Sequence, residues 1–528
     1  MSAVMGTITP APPRRAAESR DPATGEVWRR FESADAAVVR SALTAARAAQ
    51  PHWAAESVAH RARTIERFRR VLFARRREVT EIIRRENGKP AEEALATEIM
   101  TTLDFARFCA RHAPRVLADQ HLIPSNIGMW RKRVTVRHEP LGVVAAISPW
   151  NYPLWMPAGL VLSALVAGNG VLLKPSEYTP STGLLLGELL AEAGLPAGLL
   201  QVLPGDGTTG AAVVSADIDK VFFVGSAATG RRIAQACAPR LIECVLELGG
   251  SDAAIVLADA DLDTAASGIA WGRFSNAGQT CTAPKRAIVE DAVFDAFSAK
   301  LAERVRALRV GPATAERTDM GPVIGPVQRA ALEAQLADAV QRGATVLAQG
   351  GTAPGGDFFA PTVLTGVTPE MRVMTEETFG PLIPIIRVRD ADEALRVANA
   401  SVFGLSASIW SRDLKRAGRL AAQLQTGTVV INDVTVAAGI AEMSYGGVKE
   451  SGYGHTHGPA GLLSCTRTRA IVTDRIAAFR QPWWFGYGAQ HAADLDGFLD
   501  FWHGRALGAR IAGAFRSVRL LFFPERPV

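Results

Sequence analysis

From residue 33 to 115 the apolar positions recur every three or four residues among Ala, Leu and Arg, the spacing of helices with one buried face. Ser33 or Asp35 supplies the first N-cap. The period changes at "RKRVTVRHEPLGVVAAISPW", where Val134, Val136 and the run 143–147 predict strands. Strands and helices then alternate. "NGVLLKPSE" is a strand with a polar stop, and "PSTGLLLGELLAEAGLP" a helix closed by Gly194. "LLQVLPGDG" reads as a strand, "KVFFVGSAATG" as a strand entering a Gly-rich turn, and "RRIAQACAP" as a helix. A second series runs from "DAAIVLADAD" through "RAIVEDAVFDAFSAKLAERVRAL" to "TGTVVIND". Repeated βα units predict mostly parallel, doubly wound sheets, here in two α/β domains. After the strand "TRTRAIVTDR" and the aromatic "QPWWFGYG", Leu507, Ile511, Phe515, Val518 and Phe522 share one helix face. Arg505, Arg516 and Arg519 fall opposite them, which makes the tail a basic amphipathic helix.

Composition narrows the picture. A chain of 528 residues is too long for one core. Its five cysteines are widely spaced and odd in number, with no CxxC pair, which points away from a disulfide framework or a metal site and toward reduced thiols in a cytoplasmic-type compartment. No run of about 18 apolar residues occurs, so no membrane-spanning helix is expected. The net charge of +6 gathers in "RRVLFARRREVTEIIRR" and in the tail. No interleaved basic and aromatic motif accompanies it, so nucleic acid is not an expected partner.

Candidate chemistry begins at "FSNAGQTCTAPKR" (274–286), where Cys281 lies in a polar, Gly-containing loop rather than an apolar run. That setting suits a thiol that must be reached and ionised. Cys109, Cys237, Cys244 and Cys465 sit in apolar or helical runs, as packing residues do. "LELGG" ends an apolar strand on Glu247, where desolvation raises a carboxyl pKa and suits a general base. "SPWNYP" holds Asn151 in a proline-stiffened loop, and a fixed amide N–H₂ suits an oxyanion hole. "GSAATG" (225–230) is a strand-to-helix turn that could receive a phosphate, although it is not the usual dinucleotide fingerprint. Lys174 and Glu177 of "LLKPSE" are on this reading alone an ordinary surface ion pair.

In order along the chain, "ISPWNYP", "KPSE", "GSAATG", "LELGG", "GQTC", "EETFGP", "INDV" and "YGGVKESGYG" strongly resemble the aldehyde dehydrogenase superfamily. The likeness covers roughly residues 22–475. It implies Cys281 as the nucleophile, Asn151 with the backbone N–H of Cys281 as oxyanion donors, and Glu247 as the base for hydrolysis. It also implies a bound NAD, with NADP as the alternative. Gly225, Ser226 and Gly230 would lie at the pyrophosphate, Gly207 toward the adenine, and Lys174 and Glu177 at the adenosine ribose. Glu377 would hold the nicotinamide ribose, with Phe379, Trp150 and Leu248 completing the cofactor contacts. A carboxylate at Glu177 favours the 2′-hydroxyl of NAD over a 2′-phosphate. Glu247 points to hydrolysis rather than acyl transfer to coenzyme A. Ser251 departs from the lysine that many relatives carry after the two glycines.

The resemblance further implies a two-domain α/β fold with a small β oligomerisation arm and a helical C-terminal extension. The expected spans are a flexible N-terminus (1–20), a cofactor domain (21–122 and 142–246), an arm (123–141 and 465–475), a catalytic domain (247–450) and the extension (476–528). A homodimer or homotetramer follows from such an arm. Trp155, Met156 and Phe274 resemble substrate-tunnel positions, and "DVTVAAGIAEMSYGG" is expected at the tunnel entrance. No arginine stands out there or in "PLWMP" to grip a second carboxylate. The expected substrate is therefore an apolar aliphatic or aromatic aldehyde. A succinate-semialdehyde-type enzyme and a catalytically silent scaffold are the alternatives, and the tail leaves open peripheral membrane contact.

Overall fold

The computed structural model describes residues 16–476, 481, 483–485 and 487–522. Residues 1–15 of the expected flexible N-terminus, Pro482 and Gly486 of "QPWWFGYG", and the side chains of Arg519 and Phe522 lie outside that description.

The helical reading of 33–115 resolves into long helices with explicit stops. Asp35 caps the first, Ala36–Ala55, by accepting from the N–H groups of Ala37 and Val38 at 2.9 Å. Ser57 caps Val58–Asn87, which ends at Gly88 with φ +84°. The next helical stretch is not continuous. A π-helical turn at Leu95–Ile99 interrupts it before Met100–Val116, and its glutamate is used at the site described below.

Two large sheets, beside two small two-stranded ones, form inside one compact unit, Met1–Leu117 with Glu139–Arg467. The six-stranded sheet runs Gly452–Tyr453, Glu243–Glu247, Lys220–Val224, Val143–Ile147, Gly170–Lys174 and Leu200–Val202. Every pairing in it is parallel except the first. The seven-stranded sheet runs Thr345–Gln349, Thr362–Thr365, Leu382–Val388, Pro284–Glu290, Asp252–Val256, Ser406–Trp410 and Thr428–Ile431. Again only the first pairing is antiparallel. The near-continuous apolar runs noted in sequence, such as 143–147 and 252–256, are buried along their whole length, as strands covered on both faces must be. After residue 450 the chain returns to the first sheet through Gly452–Tyr453, and the helix Gly458–Ser464 packs on Met100–Val116 and Trp155–Ala167.

The second unit, Ala118–His138 with Thr468–Val528, contains most of a three-stranded sheet of Thr466–Asp474, Lys132–Pro140 and Gln120–Leu122. Gln120–Leu122 lies N-terminal to the 123–141 span. It is exposed throughout, so no burial pattern marked it in sequence. Asp474 accepts from Lys132 Nζ at 2.7 Å within this unit. Two helices follow, Ala489–His503 and Leu507–Phe522, packed on each other. Leu507, Ile511, Phe515 and Val518 remain exposed on the second of them.

Candidate active site

Cys281 follows the short 3₁₀ turn Ser275–Gly278 and precedes the strand Pro284–Glu290. Asn276, Ala277 and Gly278 carry φ of +51°, +52° and +72° in succession. Only glycine adopts that region freely, so the first two are held there by their surroundings. A Cβ on Gly278 would stand 2.4 Å from the Gly380 carbonyl carbon. The clamp is Arg273, fully buried, whose guanidinium donates to the carbonyls of Gly278 and Thr378 at 3.0 Å and also to that of Gly380. It ties the thiol's loop to "EETFGP".

The loop of Asn151 is stitched to the same place. Asn151 Nδ2 donates to Gln279 O at 2.9 Å, and Asn276 Nδ2 donates to Asn151 O at 2.9 Å. Tyr152 Oη and Thr280 Oγ1 are 2.7 Å apart. From behind, Lys89 Nζ donates to Asn151 O at 2.9 Å and to Glu98 Oε1 at 2.8 Å, while Glu98 Oε2 accepts the N–H groups of Leu154 and Trp155. Both side chains of this ion pair are fully buried. Glu98 lies in the π turn, consistent with the association of such turns with functional sites.

Glu247 ends its strand opposite Gly452. Its Oε1 accepts from Thr456 Oγ1 at 3.4 Å, and Oε2 is buried without a partner. Burial raises its pKa well above the ordinary carboxylate range. The Cys281 thiol opens on the cavity but is largely desolvated, which pushes it up to about 11. The Lys285 ammonium beside it opposes that shift, while Asp252, Glu377 and Glu247 add to it. Lys285 is fully buried and donates to the carbonyls of Thr280, at 2.8 Å, and of Cys281. Glu377 accepts from Gly250 N–H at 3.0 Å, 3.7 Å from Lys285 Nζ. Gly249 makes room for it, since a Cβ there would lie 2.0 Å from Glu377 Oε2.

A cavity of about 260 Å³ gathers these groups. Cys281, Asn151 and Glu247 all line it, as do Trp150, Gly225, Ser226, Leu248, Glu377 and Phe379. Trp150 and Phe379 meet edge to face at 5.4 Å. Lys174, Glu177, Gly207 and Gly230 are not in the lining. Lys174 and Glu177 pair at 3.1 Å at the carboxyl end of Gly170–Lys174, Gly207 begins the helix Gly207–Ser215 beyond the next strand, and Gly230 faces Leu248 from the helix Ala227–Cys237. Ser226 caps that helix through Thr229 N–H.

Met156, Leu160, Ala438, Tyr445, Thr456 and His457 also line the cavity. Of the residues expected on a tunnel, Met156 is there. Trp155 sits behind it with its ring stacked on His457 at 4.5 Å, and Phe274 belongs to the core instead. Ala438 and Tyr445 come from the stretch expected at the entrance. Sequence reading passed over Arg273, Lys285, Thr456, His457 and the Lys89–Glu98 pair. Of these, only "GHTHG" carried a local signal, two titratable side chains between glycines.

The aldehyde dehydrogenase family model matches residues 9–471. A 4,4'-diapolycopene aldehyde oxidase from Methylomonas is 39% identical over 483 residues, covering 92% of this chain and 90% of that protein. A Mycolicibacterium smegmatis protein, provisionally named an NADP(+) succinate-semialdehyde dehydrogenase, is 40% identical over 450 residues, covering 84% and 86%. The crystal structure of a Mycobacterium tuberculosis aldehyde dehydrogenase complexed with NAD+ superposes with a TM-score of 0.83 at 34% identity, covering 88% of this chain and 95% of that one.

Proposed function

This chain belongs to the aldehyde dehydrogenase family, and we propose that it oxidises an apolar aliphatic or aromatic aldehyde to the carboxylic acid with NAD. One observation carries the reading. Cys281, Asn151 and Glu247 meet on a single cavity whose described lining includes neither Arg nor Lys. A substrate with a second carboxylate would enter without a partner, and an unpaired buried charge is costly.

In this reading Glu247 accepts the Cys281 proton, the sulfur adds to the carbonyl carbon, and the thiohemiacetal oxygen faces Asn151. Asn151 has a second amide N–H to offer beyond the one given to Gln279. After oxidation to the thioacyl form, Glu247, having released the thiol proton to solvent, takes a proton from the water that hydrolyses it, and its unpartnered Oε2 is the oxygen available for that. NAD supplies the hydride acceptor. The residues present fit it: Glu377 and Phe379 border the cavity, the Ser226-capped helix offers an N-terminus to the pyrophosphate, and Lys174 with Glu177 stands at a carboxyl end of the sheet. The Glu177 carboxylate would repel a 2′-phosphate, which favours NAD over NADP.

The test is reduced-cofactor production across short polar, long aliphatic, aromatic and carboxylate-bearing aldehydes, each with NAD and with NADP. Turnover rising with apolar length under NAD supports the proposal. Preference for a semialdehyde with a carboxylate refutes the apolar assignment. The Cys281→Ala protein separates an enzyme from a silent scaffold, since it should lose at least about a thousandfold in kcat.

The proposed partners are the aldehyde and further copies of this chain, as homodimer or homotetramer, with the three-stranded sheet as the arm. The exposed row Leu507, Ile511, Phe515 and Val518 favours a cover for the tail. A neighbouring copy is the simpler one, and a membrane surface is the competing reading. No helix among the described residues is long and apolar enough to cross a membrane.

A further inference from the structure

Tyr445 stands on the cavity wall with a hydroxyl that is buried and has no hydrogen-bond partner. Its position is not loose. Tyr445 N–H donates to Thr456 O at 2.9 Å, and Thr456 N–H returns to Tyr445 O at 2.8 Å. This isolated bridge sets Tyr445 beside the threonine that donates to Glu247. The phenol ring lies 6.2 Å from the His457 ring, so a second contact fixes its tilt. Tyr445 thus shares the lining of one cavity with Cys281 and Glu247.

An orphan hydroxyl in an apolar wall is unfavourable unless something arrives to use it. Cys281 is the group that lacks a donor. Asp252, Glu377 and Glu247 all oppose a negative sulfur, and the one favourable charge, Lys285, gives hydrogen bonds to backbone carbonyls of the same loop. His457 is held neutral, with burial lowering it to about 4, and contributes no charge. We propose that Tyr445 is a further catalytic residue, whose hydroxyl donates a hydrogen bond to the Cys281 sulfur when that sulfur is anionic.

The inference rests on Cys281 being the nucleophile. Its proton accounting is simple. The Sγ–H bond breaks and the proton passes to Glu247. The S–C bond then forms while the carbonyl π pair moves to oxygen. Tyr445 keeps its own proton throughout, because burial and the neighbouring negative charges raise its pKa well above the ordinary phenol value. It is a permanent donor and never a base.

Tyr445→Phe keeps the ring and removes only the donor. Cys281 alkylation by iodoacetamide, followed at the peptide level across the neutral and alkaline range in the full chain without aldehyde, reads the thiol directly. The expected midpoint rises by about one pH unit, so that alkylation below it slows about tenfold. kcat/KM should fall in parallel while NAD affinity and melting temperature hold. Superposable alkylation profiles overturn the proposal, and so does a loss of NAD affinity or melting temperature that accounts for the change. If instead Cys281→Ala retains activity, the nucleophile assignment itself fails, which the alkylation profile of Tyr445→Phe cannot mimic.

Discussion

At the scale of single residues, the site works by desolvation. Glu247, the base of the proposed mechanism, is a carboxyl that its surroundings keep protonated to a higher pH than usual, yet a base must be ionised to accept a proton. The turnover rate of the thioacyl step should therefore rise with pH through a midpoint well above the ordinary 4.5 of a glutamate. Glu247→Gln should remove that limb and lower kcat by about a hundredfold or more. A pH–rate profile of both proteins checks this, and an unchanged limb in the variant would assign it to another group. The linkage to stability has the opposite sense. Because the folded pKa is raised, the group's stabilising contribution is full below its unfolded pKa and is lost as pH rises through the folded one. The Cys281 thiol, up to about 11, needs help to ionise near neutrality, and this is why its few neighbours matter individually.

At the scale of elements, what sequence made legible was periodic. The apolar runs 143–147 and 252–256, the Asp35 cap and the turn after Lys220–Val224 all follow from local pattern, and the structure has each of them. Cys281, Asn151 and Glu247 also stood out in sequence, each a polar group where packing alone has no use for it, and the structure brings the three onto one cavity. What stayed hidden depends on partners far away in the chain. Lys89 and Glu98 look like any charges on a helical stretch until Glu98, in the π turn, meets the backbone of Leu154 and Trp155. Arg273 reads as the solvent face of Leu262–Phe274, but its guanidinium is surrounded by the carbonyl of Gly278 in the turn after it and those of Thr378 and Gly380 from a distant loop. No local spacing encodes such arrangements. A consequence is testable: Lys89→Met leaves Glu98 buried without its cation, and should cost about 3–5 kcal/mol in denaturant unfolding. It should also lower kcat, because Lys89 holds the Asn151 carbonyl. A stable Lys89→Met protein with normal kcat would show that the Asn151 loop needs no such support.

At the scale of the whole molecule, the tail poses a separate question from the chemistry. Deleting everything from Ile476 onward removes the exposed Leu507, Ile511, Phe515 and Val518 while sparing every residue lining the cavity. If a second copy covers that row, the truncated chain should show fewer copies per assembly by light scattering and full-length protein should not sediment with liposomes. If a membrane surface covers it, the number of copies should hold and sedimentation should be lost on truncation. The cavity itself has an uneven origin. Cys281, Asn151 and Glu247 are placed by sheet ends and the loops stitched between them, whereas Ala438, Tyr445, Thr456 and His457 come from one late stretch of chain after the last strand of the seven-stranded sheet. Ala438 on that stretch can therefore change without touching the groups argued to carry the chemistry, whereas Tyr445 and Thr456 cannot. Relatives equally distant from this chain, at 39% and 40% identity, bear names for quite different aldehydes. In this chain one late stretch would then carry both a share of the chemistry and a share of the choice of substrate.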